Sequence, residues 1–188
     1  RKINIAYIGI NNHEIDLIAP FIEALKCENV KNSYRLILYG NTISNEKWNQ
    51  LGLSEIAEYR GWLDYSKDVS TLKDIDVFLQ LLDDNNVSKA GWPNKLGDYL
   101  AFGKPVILSP YGDIIDFVKN EKGFFIVEYN KYSILKILQE IKDIPYSDLK
   151  TMGYANRQLA EKISWKNRAK NIEYICNKIR FNNETVKN

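Results

Sequence analysis

The chain contains 188 residues, of which 45% are apolar and 27% charged, and its 26 basic and 24 acidic residues leave a net charge of +2. This near balance argues against a nucleic-acid partner or a strongly basic membrane-binding surface. The two cysteines, Cys27 and Cys176, lie far apart in the sequence, which argues against a disulfide framework and predicts a reducing, cytoplasmic environment. No apolar run approaches the roughly 20 residues needed to span a bilayer.

Short apolar segments alternate with helical patterns along the chain. The apolar segments predict strands at residues 3–9, 34–40, 56–61, 75–79, 105–109 and 123–127. Helices are predicted at residues 15–25, 44–51, 66–72, 93–102 and 130–141, and two more helices are predicted to begin at Ser147 and Ser164. This alternation is typical of an α/β fold. We predict a Rossmann-like doubly wound parallel sheet of about six strands, with helices on both faces and two C-terminal helices.

The stretch 92–113 combines a helix, a buried strand and a turn. Pro93 suits the first helical position, and Gly103 suits the residue that ends the helix. Asp113 follows the turn and is interpreted as the N-cap of a further helix. Because doubly wound sheets bind ligands beyond the carboxyl ends of their strands, we expect binding residues in the loops that follow the predicted strands.

Residues 93–109 read P-N-K-L-G-D-Y-L-A-F-G-K-P-V-I-L-S. They resemble the signature P-x-K-x-x-E-Y-L-A-x-G-K-P-V-I-x-S of retaining GT-B glycosyltransferases of family four. In that family the signature belongs to the C-terminal of two Rossmann-like domains, the one that binds the nucleotide-sugar donor. Further similar segments, in the same order, occur at residues 3–9, 36–40, 59–63, 75–79 and 164–165.

The resemblance implies roles for two side chains of the predicted helix. Asp98 takes the position of the second Glu of the family's E-x7-E motif, which implies that it binds the donor's ribose, since a carboxylate accepts strong hydrogen bonds from both hydroxyls. Lys95 lies at the start of the helix, where a cation adds to the helix dipole and favours a phosphate. The alternative reading is a surface ion pair between Lys95 and Asp98. The first Glu of the motif falls at Ala90, and Asp83 or Asp84 could replace it.

Other candidate donor contacts lie in three predicted loops. After the first strand, Gly9 would allow close approach of the backbone to a pyrophosphate, and Asn11 and His13 follow in the same loop. Trp62, after the third strand, either stacks on the base or packs into the core. The last loop offers backbone amides to a phosphate or a sugar hydroxyl, from Ser109, Tyr111 and Gly112.

The resemblance also implies the function and organisation of the protein. We expect residues 1–163 to form a nucleotide-sugar-binding domain and residues 164–180 a helix that packs back on it or toward a missing N-terminal acceptor domain, followed by a frayed tail at 181–188. The first residues enter a strand directly, as in a piece cut from a longer protein. The expected activity is hexosyl transfer in cytoplasmic polysaccharide biosynthesis, retaining and independent of a metal or cofactor.

Two further expectations concern the activity of the isolated chain and an alternative function for it. By itself the domain would be inactive, and the full-length protein could associate peripherally with a membrane. The alternative is a non-catalytic nucleotide-binding, small-ligand-binding or scaffold domain of the same fold. A dehydrogenase, a P-loop enzyme and a G-x-S-x-G hydrolase are disfavoured, because their motifs do not occur in the sequence.

Overall fold

The computed structural model describes residues 1–185, with side chains through residue 179. Its centre is a six-stranded sheet in which every neighbouring pair is parallel, with the order β3-β2-β1-β4-β5-β6. The strands are β1 Ile3–Ile10, β2 Tyr34–Gly40, β3 Ala57–Tyr59, β4 Val77–Gln80, β5 Val106–Leu108 and β6 Phe124–Ile126. The predicted doubly wound parallel sheet is confirmed.

Helices cover both faces of the sheet. They are α1 Glu14–Leu17, α2 Ala19–Leu25, α3 Asn45–Gln50, α4 Asn86–Ala90, α5 Asn94–Ala101, α6 Ile114–Val118, α7 Lys131–Ile141, α8 Tyr146–Lys162 and α9 Trp165–Thr185. One core cluster joins the sheet to α2 and α7, and the other joins it to α5, α6 and the end of α8. Because both faces are covered, the central strands are mostly apolar rather than alternating, and Gln80 at the end of β4 is an exception.

The strand order reverses between β1 and β4. From β1 the chain moves to β2 and β3 on one side, and it then crosses to β4, β5 and β6 on the other. The connections that leave the carboxyl ends of β1 and β4 therefore run in opposite directions and open a crevice between them. In doubly wound folds this switch point is where ligands bind.

Three local predictions differ from the structure. The helix predicted at residues 15–25 is broken at Ile18, because Pro20 lacks the N–H that a continuous helix would need and occupies the first turn of α2 instead. The segment 66–72 contains only a 3-10 helix, Val69–Leu72. Helix α4 was not predicted; its N-cap Asn85 accepts a hydrogen bond from the N–H of Ser88 at 2.7 Å.

The predicted helix ends are partly confirmed. Ser44 and Ser164 accept capping hydrogen bonds from N–H groups three residues later, and Gly103 follows α5 with a φ of +64°. Ser147 is not a cap, because α8 begins at Tyr146 directly after Pro145 and places Ser147 inside its first turn. Asp113 lies at the N-cap position of α6, as predicted, but its side chain makes no capping hydrogen bond.

The last helix, α9, extends to Thr185 and carries exposed apolar side chains at Ile172, Ile175 and Ile179. Of the tail predicted at 181–188, residues 186–188 lie outside the described residues. None of the helices that the structure describes combines the length and apolar character that a membrane-crossing segment needs.

Two buried tyrosines predict how stability depends on pH. Tyr7 of β1 and Tyr99 of α5 are 1% and 0% exposed, and burial is the main cause that raises the pKa of both phenols above 10.0. The unfolded chain therefore loses these protons first as the pH rises. We expect the free energy of unfolding, measured with urea, to fall above roughly pH 10 by about 1.4 kcal/mol per pH unit for each phenol. The Tyr99→Phe variant should show a shallower decline, and an equal slope in the variant would contradict this origin.

Candidate functional site

A crevice of about 340 Å³ opens at the switch point. It is bounded by the carboxyl ends of β1 and β4, by α4 and by the first turn of α5. We call it the switch-point crevice. Its polar lining consists of Tyr7, Glu14, Gln80, Ser88, Asn94 and Lys95, and its apolar lining includes Leu17, Leu82, Val87 and Trp92.

Lys95 crosses the crevice from α5 to the end of β1. Its aliphatic chain passes over Gly9, where a Cβ atom would lie only 3.0 Å from Lys95 Cε, and Gly9 has a φ of +86°. A side chain at position 9 would therefore meet the lysine as well as a strained backbone. The structure brings these two predicted residues into contact.

The ammonium group of Lys95 lies in a small polar cluster. Its Nζ is 3.2 Å from the hydroxyl oxygen of Tyr7 and 3.4 Å from Glu14 Oε2, and it lies 4.5 Å from the centre of the Tyr7 ring. The Tyr7 hydroxyl donates a hydrogen bond to Glu14. Burial, followed by this bond to Glu14, raises the pKa of Tyr7, so the phenol stays protonated at neutral pH. Without a ligand, the carboxylate of Glu14 thus neutralises the charge of Lys95.

The loop after β1 positions Glu14. Asn11 Oδ1 accepts hydrogen bonds from the N–H groups of His13 at 2.8 Å and of Glu14 at 2.9 Å, and this turn starts α1. The side chain of Asn11 therefore stabilises the loop, while His13 is exposed at the N-terminus of α1. Asn11 and His13 were predicted as donor contacts from the sequence, whereas Glu14, whose carboxylate lines the crevice, was not.

Ser109 holds the loop that follows β4. Its side chain is fully buried, and its hydroxyl oxygen accepts a hydrogen bond from the N–H of Leu82 at 2.8 Å. Next to it, Gln80 ends β4 with only 4% of its surface exposed, and its Oε1 has no hydrogen-bond partner. Gln80 was not predicted as a site residue, although a glutamine at the end of an otherwise apolar strand is a visible signal in the sequence.

The loop containing Tyr111 and Gly112 packs against α4. A Cβ at Gly112 would lie 2.8 Å from the carbonyl oxygen of Lys89, so only glycine permits this approach. This close packing holds α4 in place, and with it Ser88, whose hydroxyl donates a hydrogen bond to Asp83 at 2.7 Å. The neighbouring Asp84 forms an ion pair with Lys89. The two carboxylates named as candidates to replace the motif's first glutamate, Asp83 and Asp84, thus have partners within their own segment.

Asp98 faces a different cavity. A groove of about 430 Å³ lies on the other side of Trp92, and we call it the α5–α9 groove after its lining by Asp98, Ala101, Trp165 and Arg168. Asp98 Oδ2 accepts a hydrogen bond from the hydroxyl of Tyr65 at 3.1 Å, whereas Lys95 pairs with Glu14. The alternative of a Lys95–Asp98 surface pair is therefore wrong.

Trp62 does not pack into the core. The loop after β3 leaves 71% of its surface exposed, while the next residue, Leu63, is buried at 6%. The core alternative for Trp62 is thus excluded, and the ring is free to meet a flat ligand.

A larger cavity of about 440 Å³ lies at the opposite edge of the sheet, near the amino ends of β1 and β4. There Asp76 accepts hydrogen bonds from Arg1 at 2.6 Å and from the N–H of Asn4 at 2.9 Å, so its carboxylate is already engaged. Since parallel α/β sheets bind ligands at the carboxyl edge, we locate the candidate site in the switch-point crevice. Across the residues with described side chains, no three His, Cys, Asp or Glu groups converge on one point.

The doubly wound sheet and the crevice at its switch point define an α/β ligand-binding domain of Rossmann-like fold. Residues 2–143, well over half of the chain, match the family described as Glycosyl transferases group 1. The chain therefore belongs to this family, as the signature at residues 93–109 predicted. No curated protein sequence matches the chain.

Solved structures share the fold at low sequence identity. Sucrose-phosphate synthase from Thermosynechococcus elongatus superimposes with a TM-score of 0.72 at 14% identity, covering 95% of this chain and 45% of that one. The C-terminal domain of a group 1 glycosyl transferase from Francisella tularensis has a TM-score of 0.61 at 15% identity, covering 86% and 85%. HepE from Anabaena, in complex with UDP and glucose, has a TM-score of 0.63 at 12% identity, covering 86% and 44%. The chain thus spans under half of the synthase and of HepE.

Proposed function

We propose that this chain is the donor-binding domain of a glycosyltransferase and that the switch-point crevice binds the diphosphate and sugar of a nucleotide-sugar donor. The observation that carries the proposal is the position of Lys95. Its ammonium lies over the end of β1, in contact with Gly9, at the switch point of the sheet. The first turn of α5 adds the positive end of a helix dipole to the same region. A diphosphate is the ligand group that this combination favours.

The α5–α9 groove is suited to bind the nucleoside of the donor. Asp98 is exposed and accepts one hydrogen bond, from Tyr65, so its carboxylate can accept further bonds from ribose hydroxyls. Trp92 lines both cavities, so a donor could extend past it along the first turns of α5. Bound in this way, the ribose lies at Asp98 and the diphosphate at Lys95, and Trp62 is available to stack on the base.

The transfer itself is proposed for the longer protein. Membership of group 1 supports hexosyl transfer with retention and without a metal, in the cytoplasm, for polysaccharide synthesis. The acceptor would bind to a second domain, and the exposed stripe of Ile172, Ile175 and Ile179 on α9 is suited to pack against it. The isolated chain is then expected to bind the donor but to transfer little sugar.

A non-catalytic donor-binding scaffold is the second candidate. It is favoured by Ala90, the last residue of α4, which replaces the family's first carboxylate and is exposed. Sugar transfer by the full-length protein to any acceptor would exclude the scaffold.

Titration calorimetry with UDP, GDP and ADP sugars tests the donor site directly. We expect one nucleotide class to bind this chain and the other two to bind more weakly, because a base contact discriminates among them. If none of the three binds, the proposed function is wrong.

Glu14 competes with the diphosphate for Lys95 in this proposal. The Glu14→Gln variant should bind the nucleotide diphosphate about 1.4- to fivefold more tightly, because partly exposed ion pairs are worth roughly 0.2–1 kcal/mol. Calorimetry at low salt measures the change. Asp16→Asn is a matched control, since Asp16 pairs with Lys47 outside the crevice. Weaker binding by Glu14→Gln would mean that Glu14 holds Lys95 in its binding position.

A further inference from the structure

Gln80 is a polar exception inside an apolar strand. The three residues before it in β4, Val77–Leu79, are fully buried, and Gln80 itself is 4% exposed. Its Oε1 is buried without a hydrogen-bond partner. Rotation of the amide would place the NH₂ group there instead, so the position offers either an acceptor or donors. A buried amide without a partner destabilises the folded protein and calls for a reason.

The surrounding loops do not supply that reason. The segment after β4 is held by the hydroxyl of Ser109, which accepts the N–H of Leu82, and the backbone of Ser109 bonds to the carbonyl of Gln80 at 3.3 Å. The first bond involves the backbone of Leu82 and the second the backbone of Gln80, so neither uses the side chain of Gln80. A leucine of similar size at this position would keep both of them.

The crevice indicates what the amide could bind. Gln80 lines it together with Lys95 and Glu14, which carry the charges, while Leu82 and Trp92 form apolar walls. Trp92 is held by an edge-to-face contact with Phe117, at 5.2 Å between ring centres. An uncharged amide has no preference for a phosphate, but it can both donate to and accept from hydroxyl groups. A hydroxylated ring beyond the diphosphate fits these walls.

We propose that Gln80 is a specificity-determining residue whose side-chain amide binds a hydroxyl group of the donor's sugar. This assignment rests on the proposed function, because it needs a nucleotide sugar in the crevice. It explains why β4 keeps a polar side chain at the switch point although that side chain has no role in the loops. The amide that lacks a partner in the free protein then forms its hydrogen bond with the sugar hydroxyl when the donor binds.

The test compares two ligands on the Gln80→Leu variant of this chain: the nucleotide diphosphate that binds the wild type best, and the same nucleotide carrying its sugar. We expect the affinity for the nucleotide diphosphate to stay within about twofold, while the affinity for the nucleotide sugar falls roughly tenfold, as for one or two lost hydrogen bonds. Gln80→Met serves as a second apolar variant, and Gln158→Leu, an exposed glutamine of α8, is the matched control.

Thermal unfolding without ligand separates this role from a structural one. Gln80→Leu should melt at the wild-type temperature or above it, because it removes an unpartnered buried amide. A lower melting temperature for both Gln80→Leu and Gln80→Met, or equal losses of affinity for the two ligands, would overturn the assignment and leave donor binding intact. Absence of any nucleotide binding by the wild type would overturn the proposed function and this assignment with it.

Discussion

The Lys95→Ala variant is expected to bind the nucleotide diphosphate roughly tenfold to a hundredfold more weakly than the wild type. Hydrogen bonds to charged groups contribute about 1.5–3 kcal/mol, which corresponds to this range. Among the residues with described side chains, Lys95 is the only cation that lines the switch-point crevice. Its removal leaves Glu14 facing the phosphates without compensation, and this repulsion adds to the loss.

Calorimetry over a range of salt concentrations measures the effect. The affinity of the wild type should fall as salt increases, and that of Lys95→Ala should fall less, because one ionic contact is missing. Lys142→Ala is the matched control, since Lys142 lines the cavity at the opposite edge of the sheet. Unchanged affinity in Lys95→Ala would remove the main support for a diphosphate in the crevice.

A double-mutant cycle sharpens this result. If Glu14 weakens binding only by neutralising Lys95, the Glu14→Gln substitution should change affinity differently with and without Lys95. The 3.4 Å distance between the two charged groups predicts such coupling. Strictly additive effects would show that Glu14 acts on the ligand independently of the lysine.

The Gly153→Ala variant is expected to lower the melting temperature by about 4–12 °C. Gly153 of α8 lies against the end of α5, where a Cβ would be 2.1 Å from the carbonyl oxygen of Gly103 and 3.1 Å from Lys104 Cα. These are backbone atoms, so α8 itself must shift. The shift would strain Asn156, which is 1% exposed and donates to the carbonyls of Lys104 at 2.8 Å and Gly123 at 2.9 Å.

The expected size follows from two contributions. Overpacking typically costs about 1–3 kcal/mol, and weakening the bonds of Asn156 raises the total to about 2–3 kcal/mol. In a chain of this length each kcal/mol lowers the melting temperature by about 2–4 °C. Differential scanning calorimetry measures the change.

Gly97→Ala is the matched control for Gly153→Ala. Gly97 is also helical, but an added Cβ there meets nothing within 4 Å. The same substitution should therefore stabilise the protein by about 0.5–1 kcal/mol, because glycine is unfavourable inside a helix. Equal destabilisation by both substitutions would contradict the packing argument for Gly153.

The fold was largely predictable because its signals are local. Most strands are short apolar runs, and the left-handed glycines at or near the ends of several strands, such as Gly9 and Gly61, can be read directly in the sequence. The errors in the predicted helices also arose locally, where one feature of the sequence hid or interrupted the helical pattern. Pro20 interrupts a helical pattern that otherwise looks continuous, and α4 is too short and too polar to show a period.

The candidate site was only partly predictable. The signature identified Lys95 and Asp98, but their partners Glu14 and Tyr65 lie 81 and 33 residues away in the sequence. No periodicity carries information over such separations. Gln80 is visible in the sequence as a polar residue at the end of an apolar strand, but the missing hydrogen-bond partner of its Oε1 can be recognised only when its surroundings are known.

The sequence by itself determined the class of fold and the family, because apolar periodicity, glycine positions and the signature at residues 93–109 are properties of neighbouring residues. Only the tertiary structure decided how the site is divided. The pairing of β4 with β1 places Lys95 over Gly9. The loop after β3 lies on the other side of α5, where its Tyr65 donates a hydrogen bond to Asp98. Two side chains one helical turn apart thus face different cavities, because different strands contribute the loops that they meet.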